Sequence, residues 1–223
     1  GKIGLAISKY FFELMEKNGI PTHYIDSDIE KGLMKVRNLT VPKLEFVLRY
    51  FTAGSMCRRF TLEEGIPFEP AYAEVTLKDD IQGDPLISER ICIMKGLLKE
   101  GQYDEALGIL ARVGEVLKKE LSGLGLTLID FKIEIGYDEN GKMYVVDEIT
   151  PDIWRVRDEN GNLNVKDGKV YAEGFAEVKA FYDAMTDNQK SSISEDAKHA
   201  YDLYIECFDY VNQLYKLNGF IAD

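Results

Sequence analysis

The stretch from residue 128 to residue 136 constrains the fold more than any other, because apolar and polar residues alternate along it. Its sequence is Leu-Ile-Asp-Phe-Lys-Ile-Glu-Ile-Gly. Alternation with a period of two is typical of a β-strand that presents one face to a core and the other to solvent. The polar face carries Asp130, Lys132 and Glu134. The apolar face carries Ile129, Phe131, Ile133 and Ile135.

A second strand is predicted over residues 142–149, after the turn sequence Asp-Glu-Asn-Gly at residues 138–141. This hairpin brings Asp147 across from the acidic face. A lysine between carboxylates on adjacent strands suits a metal–nucleotide site, because carboxylates hold Mg²⁺ and the lysine offsets phosphoryl charge. The alternative interpretation is a solvated face with cross-strand salt bridges.

The rest of the pattern predicts an α+β fold in which helices flank a strand-rich middle, without regular βαβ alternation. Apolar spacing predicts a helix over residues 3–15, ended by Asn18-Gly19. Further helices are predicted from Ser88 to Gly101, over residues 103–121, and after Ser194. Further strands are predicted over residues 22–25 and 71–77, and a small hairpin at residues 158–161. Residues 33–48 have a β-rich pattern that Asn38 and Pro42 interrupt.

The charge of the chain limits its partners. Its 223 residues include 27 basic and 39 acidic ones, a net charge of −12. Such a surface repels nucleic acid and anionic lipid, so neither is an expected partner. No apolar run reaches the length of a membrane span. A phosphorylated substrate would therefore need a local concentration of positive charge.

Cysteine and histidine usage points to a cytoplasmic protein and limits the kind of metal site. The cysteines, Cys57, Cys92 and Cys207, are odd in number and widely spaced, which suits reduced thiols. Only His23 and His199 are present, so a histidine-rich zinc site is not expected. Any metal would be held by carboxylates, which favours magnesium.

Residues 41–55 form a candidate anion-binding stretch, Val-Pro-Lys-Leu-Glu-Phe-Val-Leu-Arg-Tyr-Phe-Thr-Ala-Gly-Ser. Arg49 is followed by a Gly-Ser turn at Gly54-Ser55. A guanidinium, backbone N–H groups and a hydroxyl can together grip a phosphate or a carboxylate. The alternative is a strand and a turn with an exposed arginine.

Two further stretches carry acidic residues before proline. One is Lys-Asp-Asp-Ile-Gln-Gly-Asp-Pro at residues 78–85, and the other is Asp-Glu-Ile-Thr-Pro-Asp at residues 147–152, followed by Arg155. Taken alone, such residues commonly form turns. Trp154, the single tryptophan, either stacks on a substrate ring or packs in the core.

Four of these stretches resemble, in their order along the chain, the motifs of the SAICAR synthetases, ATP-dependent ligases of purine biosynthesis. They are residues 41–55, 78–85, 128–136 and 147–152. The resemblance covers roughly residues 3–158. It departs from the family pattern at Ile135, where phenylalanine is usual, and at Tyr50, where asparagine is commoner. Pro42 also stands one residue early relative to Glu45.

The resemblance implies a two-lobed, ATP-grasp-related fold. We expect residues 1–40 to link to an N-terminal nucleotide lobe, residues 41–158 to form the ATP- and substrate-binding core, and residues 159–223 to form a divergent helical segment packed on it. In the family a β-rich lobe with a Gly-Lys-x-Lys-type strand comes first. Most of that lobe is expected to be absent from this sequence.

The resemblance also implies roles for particular residues. The family's counterparts of Glu134 and Asp147 coordinate magnesium on ATP, and Glu45 and Asp84 would hold a second metal. Lys132, with Lys78, would lie at the reacting groups and contact the nucleotide. The residues expected to bind anionic substrates are Arg49, Ser55, Lys78, Asp84 and Arg155.

The implied reaction joins L-aspartate to the carboxylate of carboxyaminoimidazole ribonucleotide, with ATP consumed through an acyl phosphate. ATP, Mg²⁺ and these two small molecules would be the ligands, and a homo-oligomer is compatible with the sequence. Two alternatives stay open at this point. One is a small-molecule kinase of related architecture, and the other is a truncated, non-catalytic binding module.

Overall fold

The structure is a computed structural model, and it describes residues 2–79, 81–123 and 126–157. The helices are α1 (Lys2–Lys17), α2 (Ser55–Phe60), α3 (Glu89–Met94) and α4 (Gln102–Ser122). The strands are β1 (Tyr24–Asp28), β2 (Leu33–Val36), β3 (Leu44–Phe51), β4 (Pro67–Leu77), β5 (Thr127–Tyr137), β6 (Met143–Val146) and β7 (Trp154–Arg157). A short 3₁₀ turn, Pro151–Ile153, precedes β7.

Strand β5 is the centre of a five-stranded antiparallel sheet. Four strands lie in the order β4-β3-β5-β6, and β7 also pairs with β5. Strand β3 pairs with residues 130–133 of β5, while β7 and β6 pair with its first and second halves. Strands β1 and β2 form a separate two-stranded antiparallel sheet.

One apolar core joins α1 and α4 to the larger sheet. The stripe on α4 that the spacing predicted is buried, with Ala106, Leu110, Val113, Leu117 and Leu121 all inaccessible to solvent. Trp154 is 2% exposed, and its ring packs edge-on against the Phe11 ring, with the two ring centroids 5.2 Å apart. Trp154 is therefore a core residue, and the alternative of ring stacking on a substrate is wrong.

The hairpin of β5 and β6 is confirmed, with its turn at residues 138–141. The Asp138 carboxylate accepts hydrogen bonds from the backbone N–H groups of Asn140 and Lys142, and Gly141 takes a positive φ of 85°. Strand β6 ends earlier than predicted, because Asp147 adopts a φ of +69° that strand pairing does not accommodate.

The first helix and its end at Gly19, with φ of +71°, are confirmed. The predicted helix from Ser88 to Gly101 is too long, because α3 stops at Met94 and Gly96 turns the chain with φ of +68°. Ser88 takes the N-cap position, although its hydroxyl makes no capping hydrogen bond within the described chain.

Several predictions fall outside the described residues: the hairpin at residues 158–161, the helix after Ser194, His199, Cys207 and the segment 159–223. Across the described ranges, none of the helices has the length and apolar character to cross a membrane.

Candidate functional site

The polar face of β5 lies beside polar residues of β3 because paired residues share a face of a sheet. Arg49 is paired with Asp130, and Val47 is paired with Lys132. Glu45, two residues before Val47, therefore points to the same side. The Lys132 ammonium donates to Glu45 Oε1 at 2.6 Å. The predicted salt bridges are present, and they lie at the candidate site.

A buried network of five charged side chains crosses four strands of the sheet and reaches α2. Arg49 donates to Asp130 at 2.5 Å and to Glu74 Oε1 at 2.7 Å. Arg155, paired with Asp130 in the register of β5 and β7, donates to the same Asp130 oxygen at 2.7 Å. Arg59 of α2 donates to Glu74 Oε2 at 2.6 Å.

The network contains three arginines and two carboxylates, so it carries one excess positive charge. The side chains of Arg49, Glu74 and Asp130 are at most 4% exposed. Arg59 and Arg155 are 29% and 21% exposed, and they form the solvent-facing ends. In a chain of net charge −12, this is a local concentration of positive charge of the kind an anionic ligand requires.

A glycine lets the network approach the main chain before α2. A β-carbon placed on Gly54 would meet the Arg155 guanidinium at 2.5 Å, and Gly54 has a φ of +62°. Its N–H donates to Glu64 at 3.0 Å. Thr52 bonds to the loop after α2, accepting from the Ile66 N–H at 2.8 Å. Ser55, the first residue of α2, is exposed beside this turn.

A cavity of about 180 Å³ collects most of the residues expected at the site. The predicted residues on its wall are Glu45, Arg49, Ser55, Asp84, Lys132 and Arg155. Four further polar residues line it as well: Arg59, Glu74, Thr76 and Asp130. The structure thus brings together five stretches of the sequence, residues 45–59, 74–76, 83–84, 130–132 and 153–155.

Lys78, Glu134 and Asp147 form a second group next to this cavity. The Lys78 ammonium hydrogen-bonds to Glu134. That bond, together with the charges of Glu134, Asp147 and Glu45, raises the pKa of Lys78 above its ordinary value. Burial lowers the pKa of His23, against the opposing effect of the charge and backbone carbonyl of Asp147. The carboxylates of Glu45, Glu134 and Asp147, which come from three parts of the chain, thus all act on the Lys78 ammonium group.

The chemistry of this second group suits a hard cation. Within the described ranges, no three or more histidine, cysteine or acidic side chains lie close enough together to form a metal site by themselves. Mg²⁺ is commonly held by one or two carboxylates together with substrate phosphates. Glu134 and Asp147 supply carboxylate oxygens around a position that already accommodates the positive charge of Lys78, so these residues fit Mg²⁺ with a nucleotide.

The other predicted metal ligands, Glu45 and Asp84, are partly engaged. Glu45 accepts from Lys132, and its second oxygen lies 3.4 Å from the Thr76 hydroxyl. Asp84 has a φ of +50°, and one carboxylate oxygen accepts from the Asp79 N–H at 2.9 Å.

Sequence reasoning gave no role to Arg59, Glu74 or Asp130. Asp130 stands in the alternating stretch itself. Glu74 and Thr76 are two residues apart on β4 and therefore lie on the same face of that strand. Arg59 lies four residues after Ser55, one helical turn along α2. These spacings could have placed both residues on the polar side.

Comparison with known proteins agrees with these features. The sequence model of the SAICAR synthetase family matches residues 1–203. The chain belongs to the SAICAR synthetase family. Phosphoribosylaminoimidazole-succinocarboxamide synthase of Finegoldia magna is 37% identical over 184 residues, which cover 80% of this chain and 79% of that protein. The enzyme of the same name from Methanocaldococcus jannaschii is 37% identical over 182 residues, covering 82% and 74%.

Solved SAICAR synthetases share the fold. One, in complex with ADP, superposes with a TM-score of 0.70 at 32% identity and covers 81% of this chain and 78% of its own. The SAICAR synthetase of Pyrococcus horikoshii gives a TM-score of 0.70 at 31% identity, covering 82% and 81%. The chain is accordingly a ligase of this family, with its α+β fold.

Proposed function

We propose that this protein joins L-aspartate to the carboxylate of carboxyaminoimidazole ribonucleotide, with ATP converted to ADP and phosphate. The observation that carries the proposal is that two unlike groups lie side by side, linked by Glu45, which lines the cavity and whose charge acts on Lys78. An arginine-rich network with excess positive charge lies beside a lysine–carboxylate group suited to a nucleotide and Mg²⁺. The names of the relatives, and the ADP bound to one of them, support the same assignment.

The reaction needs an activated carboxylate, because an amine does not displace oxide from a carboxylate anion. A carboxylate oxygen of the acceptor attacks the γ-phosphorus of ATP, and ADP leaves. The aspartate amine then attacks the acyl carbon, the C–O bond to phosphate breaks, and the amine loses a proton. Both steps gather negative charge, which fixed cations stabilise.

On the acceptor side, Ser55 and Arg155, which forms one solvent-facing end of the arginine network, would bind the anionic substrate. Arg155 has room for a ligand because it is 21% exposed. Arg49 is buried and already bonded to Glu74, Asp130 and the Ala53 carbonyl, so it acts mainly by holding the surrounding charges in place.

On the nucleotide side, Lys132 and Lys78 would stabilise the transferring phosphoryl group. Glu134 and Asp147 would hold Mg²⁺ on the ATP phosphates, and Glu45 with Asp84 would hold a second ion beside the acceptor carboxylate. Magnesium supplies Lewis-acid stabilisation of the phosphate charge. Each of these lysines is 44% exposed and bonded to a carboxylate, so ligand binding requires those ion pairs to rearrange.

The test is a coupled ADP-release assay with ATP, acceptor and L-aspartate, with the product identified by mass spectrometry. We expect ADP and the succinocarboxamide product in equal amounts, and no amide when any one substrate is left out. ADP formation without aspartate, with phosphate left on the acceptor, would instead identify a kinase. Absence of ADP release and of nucleotide binding would identify a non-catalytic module. The buried free thiols Cys57 and Cys92 support a cytoplasmic location for this activity.

A further inference from the structure

Arg59 is the feature of the cavity that neither the motifs nor the roles argued above account for. It follows Ser55 by four residues on α2, so the two side chains lie on the same face of that helix. Both line the cavity together with Arg155. The Arg59 side chain is 29% exposed, whereas Arg49 at the centre of the network is 4% exposed. Of these two, Arg59 is the arginine that a ligand can reach.

Glu74 determines where the Arg59 guanidinium lies. Its side chain is 2% exposed, and a buried carboxylate is costly unless it is paired. Arg49 bonds to one of its oxygens and Arg59 to the other. A guanidinium has five N–H donors in a planar fork, so Arg59 can keep its bond to Glu74 and still present donors to the cavity.

The chemistry of the wall favours a phosphate monoester as the ligand. Two partly exposed guanidiniums and a hydroxyl, from Arg59, Arg155 and Ser55, offer more donors than the two oxygens of a carboxylate accept in a bidentate pair. A dianion with three terminal oxygens can use all three groups.

We propose that Arg59 directly contacts the phosphate monoester of the acceptor nucleotide, together with Arg155 and Ser55, and that Glu74 is the positioning residue that holds Arg59 there. This inference rests on the proposed function, because it names the group of the acceptor that α2 recognises. It extends that function by assigning a ligand contact to Arg59 and a role to Glu74.

The first test compares R59A with R58A. Arg58 is the neighbouring arginine on α2, and it is exposed and does not line the cavity. We expect R59A to raise KM for the acceptor about tenfold or more, the usual effect of losing a charge-assisted hydrogen bond, with KM for ATP and aspartate unchanged. R58A should match wild type, and R59K should fall between the two.

The second test uses the acceptor nucleoside, which lacks the phosphate. If Arg59 contacts phosphate, R59A and wild type should use the nucleoside equally poorly. An equal loss with nucleotide and nucleoside would overturn the proposal, as would an R59A effect on KM for aspartate, or R59A behaving like R58A.

Glu74 is tested with E74Q, which keeps the shape of the side chain and removes its charge. A positioning role predicts a raised KM for the nucleotide with little change for the nucleoside. A purely structural role predicts equal losses with both and a lowered melting temperature, and that result would overturn the role given to Glu74.

Direct calorimetric binding of inorganic phosphate and of the acceptor nucleotide separates this proposal from the reaction. If wild type binds both ligands but forms no amide, the proposed function fails. The role of Arg59 is then decided by comparing the calorimetric binding of these ligands to R59A and to R58A. Phosphate binding that R59A leaves unchanged would overturn the proposal even in an active enzyme.

Discussion

Gly54 and Arg155 lie in direct contact, although one precedes α2 and the other belongs to β7. A β-carbon on Gly54 would fall 2.5 Å from Nη2 of Arg155 and 2.8 Å from its Cζ. The positive φ of 62° at Gly54 is a second reason for glycine there. The position of Arg155, and with it one end of the arginine network, therefore depends on the absence of a side chain at residue 54.

We predict that Gly54→Ala raises KM for the acceptor about tenfold, because the new methyl group displaces a charge-assisted contact. Steady-state kinetics with each substrate varied in turn is the measurement. Gly96→Ala is the matched control, since Gly96 has a φ of +68° and no atom of the described residues lies within 4 Å of its missing β-carbon. It carries the backbone strain, about 1–2 kcal/mol, without the contact. Equal kinetics for the two variants would show that strain alone matters.

Asp130→Asn should destabilise the protein by about 3–5 kcal/mol, because it leaves the buried Arg49 without one of its charge partners. The free energy of unfolding in urea measures this. Asp28 and Lys31 form an exposed ion pair, so Asp28→Asn should leave the unfolding midpoint unchanged. A comparable loss in both variants would mean that the network contributes no more than a surface pair.

Glu134→Ala and Asp147→Ala should each lower magnesium-dependent turnover about a hundredfold or more, with the fold intact. The reason is that each removes carboxylate oxygens from the position beside Lys78, where a metal–nucleotide complex would bind. A magnesium titration of turnover, with circular dichroism for the fold, is the measurement. Glu139→Ala, in the exposed hairpin turn, serves as the control. Near-normal activity in both site variants would refute the metal assignment.

Tyr50 and Gly114 form a close pair between β3 and α4. The Tyr50 hydroxyl is buried without a hydrogen-bond partner among the described residues, and burial, with the charge of Glu115, raises the pKa of Tyr50 to about 12. A β-carbon on Gly114 would lie 2.6 Å from this hydroxyl and 2.8 Å from Leu48. Glycine in the middle of α4 is therefore required by packing.

Gly114→Ala should cost about 1–3 kcal/mol through overpacking, which outweighs the gain of about 1 kcal/mol in helix propensity. Tyr50→Phe removes the unpartnered hydroxyl and should be neutral or stabilising. When Gly114→Ala is combined with Tyr50→Phe, the destabilisation caused by Gly114→Ala should be smaller than in the single variant. A double-mutant cycle of unfolding free energies checks this, and strict additivity would contradict the contact.

Local pattern predicted much of this fold because its elements are strongly periodic. Alternation over residues 128–136 predicted β5 and its polar face, and the Asp-Glu-Asn-Gly turn predicted the hairpin. The end of α3 was missed because apolar spacing does not show that Gly96 turns the chain with a positive φ before the predicted end at Gly101. The motif resemblance supplied site residues that periodicity alone left open.

The arginine network could not be predicted from spacing, because it depends on which strands are neighbours. Glu74 meets Arg49 only because β4 pairs with β3, and Arg59 reaches Glu74 only because α2 folds back over that pair. No local signal reports such pairings. Strand order, and with it the assembly of this cavity, emerges at the level of the whole sheet.

The position of β5 between three partner strands limits how this protein can change. Shifting β5 by one residue would carry Asp130, Lys132 and Glu134 into the core and turn its isoleucines toward the ligands. Insertions or deletions within residues 127–137 would therefore abolish both folding and catalysis. Single substitutions leave the register of strand pairing unchanged. Strand β5 itself can therefore vary only by substitution, and changes of length are confined to the loops that surround it.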